Sequence, residues 1–179
     1  MDNENPSILP ASDLPTRRPA LHRSRSSSSV ASIFDADGGG HSSVGEDDDS
    51  IDPIDAQEIY DLISTISDPE HPLTLGQLSV VNLSDITVAD RPGAISSVRV
   101  EITPTITHCS LATLIGLGIK LRLQRCLAPR FRSTVVVKKN THQSEDQVNK
   151  QLADKERVAA ACENEQLMGV ISGMLATCK

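Results

Sequence analysis

An abrupt change of composition after residue 50 does most to limit what this chain can fold into. Residues 1–50 contain 11 Ser, 4 Gly and 4 Pro, together with the acidic run Glu46-Asp47-Asp48-Asp49. A segment of this kind has too little apolar surface to offset the entropy lost on ordering. We therefore expect residues 1–50 to be a disordered Ser/Gly/Asp-rich tail and residues 51–179 to form the folded domain.

The tail also accounts for most of the acidity of the chain. It carries a net charge of −5 out of a total of −7, so the domain itself is close to neutral. Two arginine-rich stretches, Arg17-Arg18 and Arg23-Ser24-Arg25-Ser26, would suit a kinase, because a phosphate pairs with arginine. A solubilising tail with chance spacing is the simpler interpretation. The acidic start, Met1-Asp2-Asn3-Glu4, predicts neither a secretory signal nor a transit peptide.

Hydrophobic periodicity after residue 50 predicts the element order α-β-β-α-β-α-α. Asp52 and Pro53 suit the start of the first helix, and Ser144-x-x-Gln147 has the form of a capping box for a later one. The order predicts a two-layer α+β domain, a small mixed sheet with helices on one face. The predicted elements are a helix with Ile59, Leu62, Ile63 and Ile66 on one face, an irregular strand over Leu78–Leu83 and Asp85–Ala89, a strand with Val98, Val100 and Ile102 packed, a helix over 109–124, a strand over Ser133–Lys138, and two helices separated by Glu163-Asn164-Glu165.

The segment 109–124 is the least certain of these elements. Leu111, Leu114, Ile115 and Ile119 have helical spacing, but the same run also contains the alternation of a strand. Gly116 and Gly118 weaken both alternatives. We choose the helix.

Composition excludes several classes of protein. Aromatic residues make up 2% of the chain and there is no Trp, which argues against stacking platforms for nucleic acid. No apolar run is long enough to span a membrane. The four cysteines form no C-x-x-C pair, which argues against a disulfide framework and a zinc finger and favours a reducing compartment. The nucleotide-binding, metalloprotease and hydrolase motifs are absent, so an enzyme is not expected.

Cys109 is the residue most suited to chemistry. It follows Pro104 and stands at the predicted start of a helix, where backbone N–H groups and the helix dipole would lower the pKa of its thiol. His108 is adjacent and could supply a proton or a positive charge. The alternative is a half-buried Cys that serves as a small apolar residue. Cys126, Cys162 and Cys178 are expected to be structural or incidental. A cysteine hydrolase that also used Asn140 and His142 is a weaker alternative.

A basic segment follows Cys109. No acidic residue occurs between Glu101 and Glu145, and seven lysines and arginines lie between residues 120 and 139. An acidic protein partner fits this segment better than nucleic acid, and a plain solvated surface is the close alternative. The candidate partner-binding residues here and in the mixed-charge helix that follows are Arg122, Arg125, Lys155 and Arg157.

Five blocks of the domain, in order, give the chain a specific resemblance that covers residues 51–176. The chain is similar to the eukaryotic cytosolic iron–sulfur assembly component of the MIP-eighteen type. One departure is Gly118, which stands where relatives have Ser or Cys and so removes a second nearby ligand. The blocks are Asp55–Ile63, Asp68–Leu75, Pro104–Leu117, Thr141-His142 and Asn149–Ala161.

The resemblance implies an adaptor in the complex that delivers iron–sulfur clusters to cytosolic and nuclear apo-proteins, including enzymes of DNA metabolism, with a link to chromosome segregation. It implies a WD40-propeller partner and a HEAT-repeat partner, no direct contact with nucleic acid or membrane, and a cytoplasmic and also nuclear location. It further implies that Cys109 is the reactive thiol and transient cluster ligand, with His108 and Ser110 in support.

Two alternatives to this adaptor stay open: a metal-free scaffold that bridges the two larger partners, and a thiol-dependent enzyme. So small a sheet could also exchange a strand or helix between copies to form a homodimer.

Overall fold

A computed structural model describes residues 8–17, 53–91, 93–105 and 110–178, with Ser110 described for its backbone alone. Contacts group Met1–Thr16 with Pro53–Lys179 in one unit and place Arg17–Asp52 in a second unit. Apart from Arg17, the second unit lies outside the described residues. None of the helices in the described ranges combines the length and the hydrophobicity that crossing a membrane requires.

Part of the expected tail makes defined contacts. Residues Ala11–Asp13 form a 3₁₀ turn, and the N–H of Leu9 donates to the carbonyl of Gln77 at 2.8 Å. The side chain of Gln57 donates to the carbonyl of Pro15 at 2.9 Å. Residues 8–17 therefore differ from the disorder expected of residues 1–50. The remaining tail, residues 1–7 and 18–50, lies outside the described residues, and its disorder stays a prediction.

The α+β prediction is confirmed, and the elements follow the predicted order with one additional helix in the C-terminal region. A three-stranded mixed sheet has helices on one face, as expected. The elements are α1 (Ala56–Ser64), β1 (Val81–Ala89), β2 (Ser96–Ile102), α2 (Ser110–Cys126), β3 (Phe131–Val137), α3 (Glu145–Ala153), α4 (Lys155–Glu163) and α5 (Glu165–Leu175).

The sheet has the strand order β1-β2-β3, with β1 antiparallel and β3 parallel to β2. Parallel neighbours need a long crossover, and α2 supplies it. In β2, Val98, Val100 and Ile102 are fully buried, whereas Arg99 between them is exposed. The expected single packed face of this strand is therefore confirmed. The irregularity expected in the first strand is also present, as a register shift between Val81 and Ile86.

The start of α1 corrects one prediction. Asp55 is the N-cap, and its Oδ1 accepts the N–H of Glu58 at 2.8 Å. Glu58 Oε2 in turn accepts the N–H of Asp55 at 3.3 Å, which completes a capping box. Pro53 precedes the helix, so the prediction that Asp52 and Pro53 begin it was wrong. A reciprocal Asp-x-x-Glu pair satisfies two backbone donors, which the Asp-Pro pattern does not.

The C-terminal region has three helices where the sequence predicted two. The break that was not foreseen is at Asp154, which is extended with φ −77° and ψ 110°. Its carboxylate accepts the N–H groups of Glu156 and Arg157 at 3.0 and 3.4 Å. Asn164 caps α5 in the same way. The interruption predicted at Glu163-Asn164-Glu165 is therefore present.

The predicted capping box of α3 is not formed. Ser144 does occupy the N-cap position, but its side chain makes no capping hydrogen bond. Its backbone N–H donates instead to Nδ1 of His142 at 3.1 Å. Glu145 is also used locally, since its carboxylate accepts the N–H of Asn140 at 2.6 Å.

Candidate functional site

The connection from β2 to α2 carries the predicted reactive thiol. β2 ends at Ile102, and α2 runs from Ser110 to Cys126, which agrees within two residues at each end with the helix expected over 109–124. His108 and Cys109, the latter directly before the first residue of α2, lie outside the described residues, as does the side chain of Ser110. The ionisation and exposure of the Cys109 thiol therefore stay predictions.

A cavity of about 580 Å³ opens beside the first turns of α2. Thr113, four residues after Cys109 in the sequence, lines it together with Leu117, His142 and Gln151. The hydroxyl of Thr113 donates to Oε1 of Gln151 at 3.3 Å, so a hydrogen bond joins α2 to α3 at this wall. The cavity therefore places polar groups of α3 and of the loop before it next to the start of α2.

Among the described residues that line this cavity, His142 is the titratable one, and it is 5% exposed. Its Nδ1 accepts the N–H of Ser144 at 3.1 Å, so a neutral ring carries its proton on Nε2. Asn140, the other side chain considered for a cysteine hydrolase, does not line the cavity. It has a positive φ of 63° and marks the turn after β3. The pair Thr141-His142 was the signal in the sequence for this cavity. The analysis of hydrophobic periodicity did not identify the cavity.

The described cysteines do not form a metal centre. Cys126 is exposed, and Cys162 and Cys178 are half-buried. Among the residues that the structure describes, no group of three or more His, Cys, Asp or Glu side chains could hold a metal ion. Cys178 Sγ accepts a hydrogen bond from the hydroxyl of Thr65 at 3.7 Å. This thiol therefore connects the C-terminal residues to the end of α1. A complete ligand cage is thus not available from the described part of the chain.

Ion pairs with acidic residues from another part of the chain neutralise some of the positive charge of the basic segment. Arg130 forms an ion pair with Asp90, which Ser96 also contacts. The hydrogen bond from Arg130 holds the pKa of Asp90 at about 2, well below its usual value. Lys138 donates to Asp85 at 2.8 Å, and this hydrogen bond raises the pKa of Lys138. Both acids come from the β1 region, outside the sequence window that contains only basic residues.

The predicted partner-binding residues differ in exposure and in the contacts that they make. Arg122 is half-buried, and its Nε donates to the carbonyl of Leu62 at the end of α1, at 3.4 Å. Arg125 is exposed at the end of α2. Arg157 is exposed and pairs with Asp154 at 3.5 Å. Lys155 is exposed and lines a different surface, the groove beside β3.

This groove has a volume of about 590 Å³ and runs between β3 and the α3–α4 junction. Lys120 lies at its inner wall, only 9% exposed. Its Nζ donates to the carbonyl of Leu152 at 2.6 Å, near the end of α3. Burial lowers the pKa of Lys120, and the charge of Lys155 lowers it further. Sequence patterns indicate little about this buried position, because Lys120 lies between apolar residues of one helix.

Comparison with known proteins connects this fold to one family. A family model described as "Iron-sulfur cluster assembly protein" matches residues 56–127, from the start of α1 to just after α2. A MIP18 family protein of Saccharomyces cerevisiae is 69% identical over 137 residues, which cover 75% of this chain and 59% of that relative. A MIP18 family protein of Schizosaccharomyces pombe is 54% identical over 178 residues, 99% of this chain and 97% of the relative.

A relative from an animal extends the comparison. The "Cytosolic iron-sulfur assembly component 2B" of Mus musculus is 53% identical over 144 residues, which cover 80% of this chain and 86% of the mouse protein. The resemblance noted in the sequence is thereby confirmed. The chain belongs to the MIP18 family of iron–sulfur cluster assembly proteins.

Proposed function

We propose that this chain is an adaptor in cytosolic iron–sulfur protein assembly that brings clusters to apo-proteins of the cytosol and nucleus, including enzymes of DNA metabolism, with a consequent role in chromosome segregation. The observation that carries the proposal is the 54% identity over 99% of the chain to a MIP18 family protein. The name of the mouse relative, a cytosolic iron–sulfur assembly component, supports the compartment and the process.

Cys109 is the residue that we propose to act on the cluster, which is cargo and not a resident cofactor. Because α2 begins at the next residue, the first N–H groups and the dipole of a 17-residue helix would favour the thiolate. The thiolate would ligate one iron of the cluster, with His108 and Ser110 as supporting residues. Transfer is a ligand exchange: a cysteine of the client bonds to that iron, the Fe–S bond of Cys109 breaks, and the proton of the client thiol passes to Cys109.

The scarcity of ligands in the described domain supports delivery over storage. A site with one cysteine holds a cluster weakly, whereas a cage of four cysteines retains it. The described residues contain no group of three potential ligands that could build such a cage. The same observation also favours a second candidate, a metal-free scaffold that joins a WD40-propeller subunit to a HEAT-repeat subunit. In either case, exposed cations such as Arg125 and Arg157 are available for docking.

Replacing Cys109 tests the proposal. Cells that carry only the Cys109→Ala variant are expected to retain the protein at normal abundance but to lose most of the activity and radiolabelled iron of client enzymes. The matched control is Cys126→Ala, which removes an exposed thiol at the far end of α2 and should leave client maturation unchanged.

Affinity recovery of the assembly from the same cells distinguishes the two candidates. Loss of client iron with the propeller and HEAT-repeat subunits still bound supports cluster handling by Cys109. Normal client iron in the Cys109→Ala cells, together with loss of client iron when the whole protein is depleted, would establish the scaffold and refute the thiol mechanism.

A further inference from the structure

The groove beside β3 has the size and the lining of a small-molecule site. Its volume of about 590 Å³ lies within the range of about 300–1,000 Å³ that is usual for ligand pockets. The apolar residues Ile95, Phe131 and Val158 line it together with polar and cationic residues. Ligand pockets combine an apolar surface with a few polar groups that orient the ligand, and this groove has both.

Lys120 places a buried cation in this groove. The residue is 9% exposed, and its Nζ donates to the carbonyl of Leu152 at 2.6 Å. An ammonium group has three N–H donors, and among the described residues the carbonyl of Leu152 is the one acceptor that it contacts. Two donors of a largely desolvated charge therefore have no acceptor from the described part of the chain.

No carboxylate of the groove compensates this charge, since none of the described residues that line the groove is acidic. Burial lowers the pKa of Lys120, and the positive charge of nearby Lys155 adds to that effect. Asp154 precedes Lys155 in the sequence, but its carboxylate accepts the N–H groups of Glu156 and Arg157 and does not line the groove. A buried cation without an anionic partner is costly, so the two lysines favour an anion from outside the chain.

The charge of the lysine pair matches a phosphate better than a carboxylate. Lys120 and Lys155 together carry two positive charges when both are protonated, and a phosphate monoester carries about −1.5 to −2 near pH 7 with three strong acceptor oxygens. A carboxylate supplies one negative charge. Arg132, exposed on the strand side of the groove, adds attraction, because it has no ion pair among the described residues. Arg130 adds little, since Asp90 pairs with it.

We propose that the groove binds a small organic phosphate monoester. The phosphate oxygens accept hydrogen bonds from Nζ of Lys120 and of Lys155, and the apolar body of the ligand packs against Phe131 and Val158. Lys120 keeps its hydrogen bond to the carbonyl of Leu152, which holds the ammonium group in place before the ligand arrives. Hydrogen bonds between charged groups are the strong ones, and partial burial strengthens them further. This site does not depend on the proposed cluster transfer by Cys109.

Titration of the full-length chain with benzyl phosphate tests the proposal. Amide chemical shifts, recorded at constant ionic strength, follow the binding. We expect saturable binding with the largest shift changes at Lys120, at Val158 and in the junction between α3 and α4. Benzyl alcohol lacks the charge and inorganic phosphate lacks the apolar body. Each of these two controls should therefore bind at least about tenfold more weakly than benzyl phosphate.

Two variants remove the two cations in turn. Lys155→Gln removes an exposed charge without altering the core, and it should weaken the binding of benzyl phosphate at least about tenfold. Lys120→Met keeps an unbranched apolar side chain but removes the buried ammonium group, and it should abolish saturable binding. The matched control is Lys150→Gln, which removes an exposed charge outside the groove and should leave the affinity unchanged. Circular dichroism verifies that each variant is folded.

Several results would overturn the proposal. Absence of saturable binding by the folded native chain would show that the lysine pair does not hold an anion. Equal losses in Lys155→Gln and Lys150→Gln would mean attraction by overall charge alone. Phenylacetate that binds as tightly as benzyl phosphate would make the ligand a carboxylate. A phosphoserine peptide that perturbs the same amides and binds at least about tenfold more tightly would assign the groove to a protein partner and not to a small molecule.

Discussion

Two regions hold the α+β domain together by opposite means. The polar clamp, formed by Asp90, Ser96 and Arg130, joins the end of β1 to the starts of β2 and β3 through hydrogen bonds and one ion pair. In the apolar junction, formed by Gly116 and Leu152, α3 packs closely against α2 because Gly116 has no side chain. The clamp depends on groups that must be present and charged, whereas the junction depends on a space that must stay free. The two regions should therefore respond to different perturbations.

The largest effect is expected at the apolar junction. A Cβ atom at Gly116 would lie 2.5 Å from Cδ1 of Leu152, and Leu152 is 1% exposed and cannot swing into solvent. Gly116→Val should therefore lower the free energy of unfolding by about 1–3 kcal/mol, as overpacking does in other cores. Urea denaturation measures this loss, and it should not depend on pH near neutrality.

Gly169→Val is the matched control for that variant. It introduces the same side chain into α5, where nothing lies within 4 Å of the new Cβ, so the change should stay within about 0.5 kcal/mol. Equal losses at Gly116 and Gly169 would show that the contact with Leu152 is not responsible.

The polar clamp should give a smaller loss that depends on pH. Asp90→Asn keeps the shape but removes the charge that Arg130 and Ser96 contact, and water can replace part of the lost contact because the Arg130 side chain is 35% exposed. In the native protein the pKa of Asp90 is about 2, against an ordinary 3.8. Its contribution to stability is thus present above about pH 4 and lost as the pH falls towards 2.

A pH series of thermal unfolding checks this prediction. The melting temperature of Asp90→Asn should lie below that of the native chain at pH 6, and the two should converge as the pH falls from 4 to 2. A constant difference over that range would show that the loss does not come from the charge of Asp90.

The smallest effect on stability is expected at a second glycine of α2. Gly118 is two residues from Gly116, but a Cβ there would meet Cε of Met174 at 3.4 Å, an ordinary contact. Gly118→Ala should therefore raise the free energy of unfolding by about 0.5–1 kcal/mol through helix propensity. Urea denaturation again provides the measurement. A loss of stability would mean that the α2–α5 packing is as intolerant as the α2–α3 packing.

The fold could be predicted from the sequence wherever the hydrophobic periodicity matches the burial of the side chains. The alternation of Val98, Val100 and Ile102 placed β2 and its packed face correctly. Local hydrogen bonds were harder to foresee. The sequence analysis placed the cap of α1 at Asp52, whereas the reciprocal hydrogen bonds of the capping box join Asp55 and Glu58. Likewise, nothing in the periodicity around Asp154 requires the break that separates α3 from α4.

The candidate site could be predicted from the sequence only in part, because its residues contact partners that are far away in the sequence. The basic segment looked uniformly positive in the sequence, yet Asp85 and Asp90 approach Lys138 and Arg130 from the β1 region. The resemblance of the chain to a family identified Cys109, and this assignment stays a prediction because Cys109 lies outside the described residues.

The crossover helix α2 separates two surfaces of the domain. A helix rises about 1.5 Å per residue, so Ser110, directly after Cys109, and Lys120 in the groove are separated by roughly 15 Å along α2. The groove and the first turn of α2 therefore lie at different points along one rigid element. A molecule that fills the groove would not cover the first turn, so the proposed exchange at Cys109 would not have to wait for that molecule to leave.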